Sequence, residues 1–299
     1  MATISPCCRT SADKPRLGIF LSGSGSNAER ILQAHRDTDA AAYDVTALVT
    51  DRPETSRARE LGAAWDVPVV ECDIRRFYRD RGVKRITVAT VEGERLRHEW
   101  TDHLRQQLAP YAIDFAAFAG FVPLTNIAAD FPCLNVHPGD LTYEQDGERH
   151  LVGLHTIPIE RAILAGLDHL RSSVIIVEPF TGGGKNMDAG LILGVSPQVP
   201  LDLQGHAPAD LQAQALARPR KRPGKGYGDA LERVAKANQE ALKEHGDWVV
   251  FPRVVAAFAR GMFASDEQGQ LYYGPDRQPV TTVEFGHDTV RPIPQGSRP

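Results

Sequence analysis

The sequence predicts an α/β fold with a mostly parallel sheet and helices on both of its faces. Short apolar runs alternate with segments of helical spacing along the first half of the chain. The first apolar run ends directly in a glycine-rich loop that leads into a helical pattern. Parallel strands need long crossover connections, usually helices, so this alternation favours a parallel sheet over an antiparallel one.

The first elements form a strand, loop, helix and second strand in that order. Residues 17–21 are a short apolar run, and residues 22–27 read Ser-Gly-Ser-Gly-Ser-Asn. Apolar residues recur at helical spacing after Ala28, and Val45 to Thr50 is again strand-like. The next predicted elements are a helix at Thr55 to Leu61, a strand at Val67 to Val70, a helix at Glu94 to Leu108, and strands at Ile113 to Phe118 and Cys133 to Val136.

The second half of the chain has a different pattern of predicted strands and helices. Two strands are expected, at Ser172 to Val177 and at Leu191 to Val199, the latter alternating like an antiparallel edge. Two helical patterns follow at Leu231 to His245 and Trp248 to Arg260, and then a strand pair near Met262 to Ala264 and Gln270 to Tyr273. The predicted organisation is a polar leader at 1–16, a core at 17–203, a basic Pro- and Gly-rich insertion at 204–228, C-terminal helices with the strand pair at 229–290, and a mobile tail at 291–299. We interpret the insertion as a surface loop or a partly disordered segment rather than a packed element.

Composition excludes several classes of protein. The 299 residues are 42% hydrophobic and 24% charged, which is ordinary for a globular chain and rules out a fully disordered or collagen-like one. A formal net charge of −4 gives no overall basic field for nucleic-acid binding. Four irregularly spaced cysteines make neither a disulfide framework nor a zinc site. No apolar stretch approaches the roughly 20 residues of a membrane span, so we expect a cytoplasmic protein without a membrane or nucleic-acid partner.

The loop at residues 22–27 is the first candidate site. Its glycines allow a tight turn, and the N–H groups at the start of the following helix attract anions such as phosphate. No Lys-Ser/Thr pair follows it, and Ala28 stands where a full dinucleotide-binding motif has its third glycine. A tight turn with a Ser or Asn helix cap remains the alternative.

The second candidate is Leu-Asn-Val-His-Pro-Gly at 134–139, at the carboxyl end of a predicted strand. Ligands of open α/β sheets bind at the carboxyl ends of the strands. Asn135 and His137 are two residues apart, so both lie on one face of an extended chain and both can donate to a developing oxyanion. A histidine bonded only to nearby backbone is the alternative.

The third candidate is Asp188, in a loop that leads into a strand. A lone carboxylate there can equally form an Asx-turn or cap. Two similar-looking patterns are set aside. His98 and His103 lie about 140° apart around a helix and so do not form a zinc site. Residues 182–185, Gly-Gly-Gly-Lys, lack the strand and the Ser/Thr of a nucleotide P-loop.

Taken in order, residues 22–27, the Phe-Ala-Gly-Phe-Val run at 118–122, residues 134–138 and Met-Asp-Ala-Gly at 187–190 resemble the folate-dependent formyltransferases. The resemblance extends more weakly from Leu17 to about Phe285. It implies a Rossmann-like formyltransferase domain with a C-terminal helical extension. It also implies formyl transfer from 10-formyltetrahydrofolate, without a metal, to the amine of a small phosphorylated acceptor, with glycinamide ribonucleotide expected as that acceptor in purine biosynthesis.

The resemblance also assigns roles to residues. It implies a catalytic trio of Asn135, His137 and Asp188. The acceptor would contact Gly25, Ser26 and Asn27 through its phosphate and Glu240 through its glycinamide part. The residues implied to hold the folate are Arg75, Phe118, Ala119, Gly120, Phe121 and Val122.

The chain departs from the family pattern in places that border these positions. The family usually reads His-Pro-Ser-Leu-Leu-Pro, whereas this chain has Gly139 and Asp140 after Pro138, and Pro123 replaces a basic residue. The stretches 180–187 and 204–228 are longer than in the family. Three alternatives therefore stay open: another amino acceptor, a formyltetrahydrofolate hydrolase, and a non-catalytic folate-binding regulator. The sequence does not define the oligomeric state.

Overall fold

The computed structural model describes residues 3–8, 14–37, 41–181, 188–224 and 226–296. From β2 to β6, strands and helices alternate as the sequence predicts, except that an additional helix, α3, precedes α4. The strands are β1 (Ser5–Pro6), β2 (Arg16–Leu21), β3 (Asp44–Thr50), β4 (Val69–Glu71), β5 (Phe115–Phe118), β6 (Cys133–His137), β7 (Glu144–Gln145), β8 (Glu148–Arg149), β9 (His169–Leu170), β10 (Ser173–Ile176), β11 (Ile192–Val195), β12 (Val199–Pro200), β13 (Phe263–Ser265), β14 (Leu271–Tyr273), β15 (Gln278–Phe285) and β16 (Val290–Pro294). The helices are α1 (Ser26–Arg36), α2 (Ala58–Trp65), α3 (Ile74–Asp80), α4 (Val91–Leu108), α5 (Ile157–Leu164), α6 (Pro208–Leu216), α7 (Ala230–Leu242) and α8 (Trp248–Ala259).

The chain forms two compact units, each assembled from three segments. Unit 1 comprises residues 1–136, 175–191 and 251–280, and unit 2 comprises residues 137–174, 192–250 and 281–299. These divisions differ from the predicted organisation, because the predicted core at 17–203 and the C-terminal part at 229–290 each contribute to both units.

Unit 1 contains a parallel sheet in the strand order β6, β5, β2, β3, β4. Leu17, Ile19, Phe20 and Leu21 on β2 have no exposed surface, as expected for a central strand that is covered on both faces. On one face, Phe20 shares an apolar cluster with residues of α3 and α4. On the other, Phe115 packs against Phe258 of α8, with 5.4 Å between the ring centroids. The prediction of a mostly parallel sheet with helices on both faces is confirmed.

An antiparallel set of strands completes unit 1. β13 pairs with β1 and with β14, and β14 pairs with the first residues of β15. The strand pair predicted near residues 262–273 is therefore confirmed. The polar leader predicted at 1–16 contributes a short strand to this set: its Ser5 and Pro6 form β1, and Cys7 N donates to Phe263 O at 3.0 Å. Edge pairing with β13 gives this polar segment its structure.

Unit 2 corrects two predictions, one for a strand and one for the tail. β11 was expected at an antiparallel edge, but it lies between β15 and β10 and runs parallel to β15. All four residues of β11 are buried, which explains why it occupies an interior position. The tail predicted to be mobile forms β16 as far as Pro294 and pairs with β15, where Pro294 O accepts a hydrogen bond from Thr281 Oγ1 at 3.1 Å.

The basic segment 204–228 is also more ordered than predicted. It contains α6, whose Leu211 is fully buried in an apolar cluster with residues of α5 and α7. Two of its arginines make ion pairs inside unit 2. Arg218 bonds to Glu160 and Asp229, and Arg222 bonds to Glu232 at 2.6 Å. Internal carboxylates, rather than solvent alone, neutralise these two cations.

The four cysteines, all of which the structure describes, form no disulfide and belong to unit 1. Cys7 is partly exposed, whereas Cys8, Cys72 and Cys133 are buried. Burial raises the pKa of Cys8 to about 11 and that of Cys72 to about 12, and it raises the pKa of Cys133 well above the ordinary value. The buried sulfurs therefore remain neutral thiols at physiological pH. In the part of the chain that the structure describes, no helix is both long and apolar enough to cross a bilayer.

Candidate active site at the carboxyl ends of the parallel strands

Asn135 and His137 both lie in the last three residues of β6. The strand register places Asn135 beside Phe118 of β5. His137 is almost fully buried, and its Nε2 lies 2.7 Å from the carbonyl oxygen of Leu151. Because a carbonyl only accepts hydrogen bonds, Nε2 must carry the proton. This bond fixes the tautomer of the neutral His137 ring.

Gly139 allows this arrangement. A Cβ atom at position 139 would lie 2.7 Å from Leu151 O, 2.9 Å from Pro158 Cβ and 3.0 Å from His137 Nε2. Ser173 Oγ donates to the carbonyl of Gly139 at 2.8 Å and so holds the turn. The departure from the family's serine at this position therefore has a local steric reason, because a larger residue would press on the bond between His137 and Leu151.

Asp140, the second departure, also has a local role. Its Oδ1 accepts hydrogen bonds from the backbone N–H and the hydroxyl of Thr142. Its Oδ2 is 3.9 Å from the buried guanidinium of Arg171. Arg171 in turn donates to Ser196 O at 2.8 Å and to Glu284 at 2.6 Å. These bonds attach the turn after β6 to β15 within unit 2.

The glycine loop lies in unit 1 between β2 and α1. Gly25 is the residue before α1, with a left-handed backbone (φ 66°), and no side chain caps the helix start by a hydrogen bond. The alternative of a turn capped by a Ser or Asn side chain therefore does not describe this loop. Arg57, the residue before α2, holds the loop by two hydrogen bonds: its backbone N donates to Gly23 O, and its guanidinium donates to Ser24 O at 3.2 Å. Phosphate binding by Gly25, Ser26 and Asn27 stays a prediction.

The 118–122 segment offers less aromatic surface than its sequence indicates. Phe118 and Phe121 are buried and pack against Phe20, with ring centroids 5.2 and 5.3 Å away, respectively. Gly120 and Val122 are exposed, and the space where a Cβ of Gly120 would lie is open. A ligand at this segment would therefore meet backbone atoms and the Val122 side chain, and the two phenylalanines belong to the core.

The other predicted site residues occupy varied positions. Arg75 is exposed on α3, where its backbone N donates to the capping residue Asp73. Glu240 is exposed on α7 and forms an ion pair with Lys243. Asp188 is partly buried and precedes Gly190, which approaches Ile176 O so closely that a Cβ would lie 1.7 Å away. Residues 182–187, most of the 180–187 stretch, lie outside the described residues.

The predicted site residues are divided between the two units. Asn135, Asp188, the glycine loop, Arg75 and the 118–122 segment belong to unit 1, and His137 and Glu240 belong to unit 2. Asn135 and His137 are brought together by the strand that they share. Convergence of Asp188 on them stays a prediction.

His98 and His103 occupy separate environments, as their spacing predicts. His98 stacks on Phe180 and lies 3.2 Å from Asn126 Nδ2, whereas His103 stacks on Phe77. The described residues contain no group of three or more His, Cys, Asp or Glu side chains that could hold a metal ion.

Two further polar residues lie at the carboxyl ends of the strands: Asp51 was not singled out from the sequence, and Ser22 was considered only as the first residue of the glycine loop. Ser22 directly follows β2, and Asp51 directly follows β3. Both are buried, at 4% and 1% exposure. Their position after parallel strands was the available signal, because polar residues at strand carboxyl ends border the ligand crevice of such sheets.

The architecture is the Rossmann-like fold of the folate-dependent formyltransferases, as the resemblance predicts. Among solved structures, the chain is similar to the phosphoribosylglycinamide formyltransferase of Coxiella burnetii, with a TM-score of 0.57 and 17% identity over 91% of this chain and 100% of that one. It is similarly related to the enzyme of Anaplasma phagocytophilum, with a TM-score of 0.56 and 17% identity over 90% and 98% of the two chains. The chain is also similar to the glycinamide ribonucleotide transformylase 1 of Symbiobacterium toebii, with a TM-score of 0.52 and 20% identity over 85% of this chain and 92% of that one. No protein-family model matches the sequence, and no curated protein matches it.

Proposed function

We propose that this protein transfers a formyl group from 10-formyltetrahydrofolate to the amine of a small phosphorylated acceptor, with glycinamide ribonucleotide as the acceptor. The observation that carries the proposal is the buried His137 at the end of β6, held in one tautomer by Leu151. A formyltransferase needs a group there that donates to an oxyanion and moves a proton near neutral pH, and an oriented imidazole does both.

The exposed edge at Gly120 and Val122 fits the flat ring of a folate, because the space beside Gly120 is open and Val122 offers an apolar contact. Bound there, the folate supplies the formyl carbon that the amine attacks. We assign to Arg75 an ion pair with the folate's glutamate tail. Phe118, Ala119 and Phe121 would support this edge from the core.

Within this proposal, Asn135 and protonated His137 donate hydrogen bonds to the oxygen that gains negative charge in the tetrahedral transition state. Asp188 stabilises the imidazolium and assists proton transfer through water. Gly25, Ser26 and Asn27 bind the phosphate at the start of α1, where the helix dipole favours an anion. Glu240 contacts the amine portion of the acceptor.

One assay separates the proposal from its alternatives. The protein is incubated with 10-formyltetrahydrofolate alone and then with a panel of amines that includes glycinamide ribonucleotide, and both tetrahydrofolate and formylated product are measured. We expect release to require the amine, because a nucleophile held at the formyl carbon gains a high effective molarity. Amine-independent formate release at the full rate would indicate a hydrolase. Binding of the folate without turnover under any condition would indicate a regulator.

A further inference from the structure

Ser22 connects the glycine loop to the 118–122 segment. It is the first residue after β2 and is buried. Its backbone N donates to Gly120 O at 3.2 Å, and its hydroxyl oxygen accepts a hydrogen bond from Val122 N at 3.0 Å. The residue that opens the glycine loop is therefore attached at two points to the segment beside it.

The Ser22 hydroxyl still has its own proton to donate, because a hydroxyl is one donor as well as an acceptor. The Asp51 side chain has no exposed surface, and its carboxylate lies close enough to the Ser22 hydroxyl for that hydroxyl to act on the pKa of Asp51 in the downward direction. Among the described residues, no donor bonds to either carboxylate oxygen in ordinary hydrogen-bonding geometry. Because Leu21 and Thr50 are paired across β2 and β3, Ser22 and Asp51 follow neighbouring strand ends, where the hydroxyl proton of Ser22 can be directed at the Asp51 carboxylate.

Few charged groups surround Asp51. Arg52 Nε is 3.4 Å from Oδ2, and Asp73, which caps α3, adds a like charge. Burial is the largest influence and raises the pKa of Asp51, while Ser22 and Arg52 act in the opposite direction. The buried Cys72 thiol nearby is neutral because its own pKa is about 12. Asp51 is thus a desolvated carboxylate with unmet hydrogen-bonding capacity beside a hydroxyl that can supply it.

We propose that Asp51 is a positioning residue that acts through Ser22. By accepting the hydroxyl proton, Asp51 turns a lone pair of Ser22 toward the Val122 N–H and so holds the glycine loop and the 118–122 segment in a fixed relation. Hydrogen bonds in such a chain polarise and strengthen one another. The functional consequence rests on the proposed function, in which the loop takes the acceptor phosphate and the segment takes the folate.

A substrate-free experiment tests the connection itself. The carboxyl carbon of Asp51 and the amide of Val122 are followed by NMR as the pH is varied. We expect the Val122 amide to titrate with the Asp51 carboxyl at one midpoint, above that of an ordinary aspartate. In Ser22→Ala the Asp51 signal should still titrate while the Val122 response disappears, and Asp73→Asn should leave the Val122 response in place. A Val122 amide that does not follow Asp51 would overturn the inference.

Steady-state kinetics test the functional consequence of the connection between Asp51 and Ser22. Asp51→Ala should raise KM for both substrates by about tenfold, the equivalent of one lost hydrogen bond, whereas Asp51→Asn should stay near the parent because its amide oxygen still accepts from Ser22. The double variant Ser22→Ala/Asp51→Ala should match Ser22→Ala alone, since a residue that acts only through Ser22 adds nothing once Ser22 is gone. Fully additive effects would overturn the inference.

Tyr78→Phe is the matched control for stability. It removes one buried hydrogen bond of unit 1, from Tyr78 Oη on α3 to Gly93 O on α4 at 2.7 Å, and leaves the hydrogen bonds of Ser22 unchanged. It should lower the free energy of unfolding without raising either KM, whereas KM values that rise equally in this control would refute a positioning role. If the Val122 amide follows Asp51 but no variant or parent transfers a formyl group, the proposed function fails while the inference stands.

Discussion

Replacing Gly139 by alanine should disturb His137 without changing any ionisable group. The added Cβ would lie 2.7 Å from Leu151 O, about 0.7 Å inside the 3.4 Å at which ordinary contact begins, and 3.0 Å from His137 Nε2. One obstacle is a backbone carbonyl and another is the ring of Pro158, so neither can move aside as a flexible side chain would. Overpacking of this kind costs about 1–3 kcal/mol, and loss of the Nε2–H to Leu151 bond adds about 1 kcal/mol.

The effect on turnover follows from the displacement of the ring. A shift of about 1 Å in a catalytic group lowers the rate by about 10²-fold, so Gly139→Ala should reduce kcat by one to two orders of magnitude at saturating substrate. Gly224→Ala is the matched control, because the same methyl group at that position of unit 2 meets no atom within 4 Å. Unfolding in denaturant measures stability, and ¹⁵N shifts of the imidazole report its tautomer. A Gly139→Ala protein with parental kcat and the Nε2–H tautomer intact would refute the reasoning.

Four further outcomes are expected. His137→Ala should lower kcat by about 10²-fold or more with little change in folate affinity, because the lost hydrogen bond is strongest in the transition state; near-parental kcat would remove His137 from the mechanism. Phosphate titration should shift the NMR signals of the Gly25–Asn27 amides and compete with the acceptor, and unshifted signals would argue against a phosphate ester bound there. Arg218→Ala should destabilise the fold by about 3 kcal/mol, because it leaves the buried Glu160 without its cation; unchanged unfolding would show that the ion pair contributes little. Because burial raises the pKa of Asp51, the folded state binds a proton in the pH range between the ordinary aspartate pKa and the raised one, whereas the unfolded state does not. The free energy of unfolding should therefore fall as the pH rises through that range. Asp51→Asn should remove this dependence and be more stable than the parent at pH 7.

The parallel core could be predicted because the residue composition of its strands indicates that they are buried on both faces. The run at 17–21 is apolar throughout, as a strand covered on both faces requires, and the glycine loop after it marks the crossover to α1. Residues 134–139 could likewise be assigned to a strand end, since Pro138 stops the strand that carries Asn135 and His137.

The segments that were wrongly predicted depend on partners distant in sequence. Nothing in the composition of 204–228 shows that Arg218 and Arg222 bond to carboxylates on α5 and α7 or that Leu211 enters a core. β16 forms because β15 offers it an unpaired edge, which its own two prolines do not reveal. The link between Ser22 and Asp51 could not be predicted for the same reason: the two residues are 29 positions apart in the chain and meet only because β2 and β3 are neighbours.

The distribution of cysteines makes a simple kinetic probe of one half of the molecule. Cys8, Cys72 and Cys133 are buried neutral thiols, so alkylating reagents reach them only during transient opening, whereas Cys7 is partly exposed. Because all four cysteines belong to unit 1, the slow phase of alkylation reports opening of that unit and gives no information about unit 2. Compared with amide exchange over the whole chain, labelling rates would show whether the two units open together or one after the other, and whether an acceptor analogue slows the opening of unit 1.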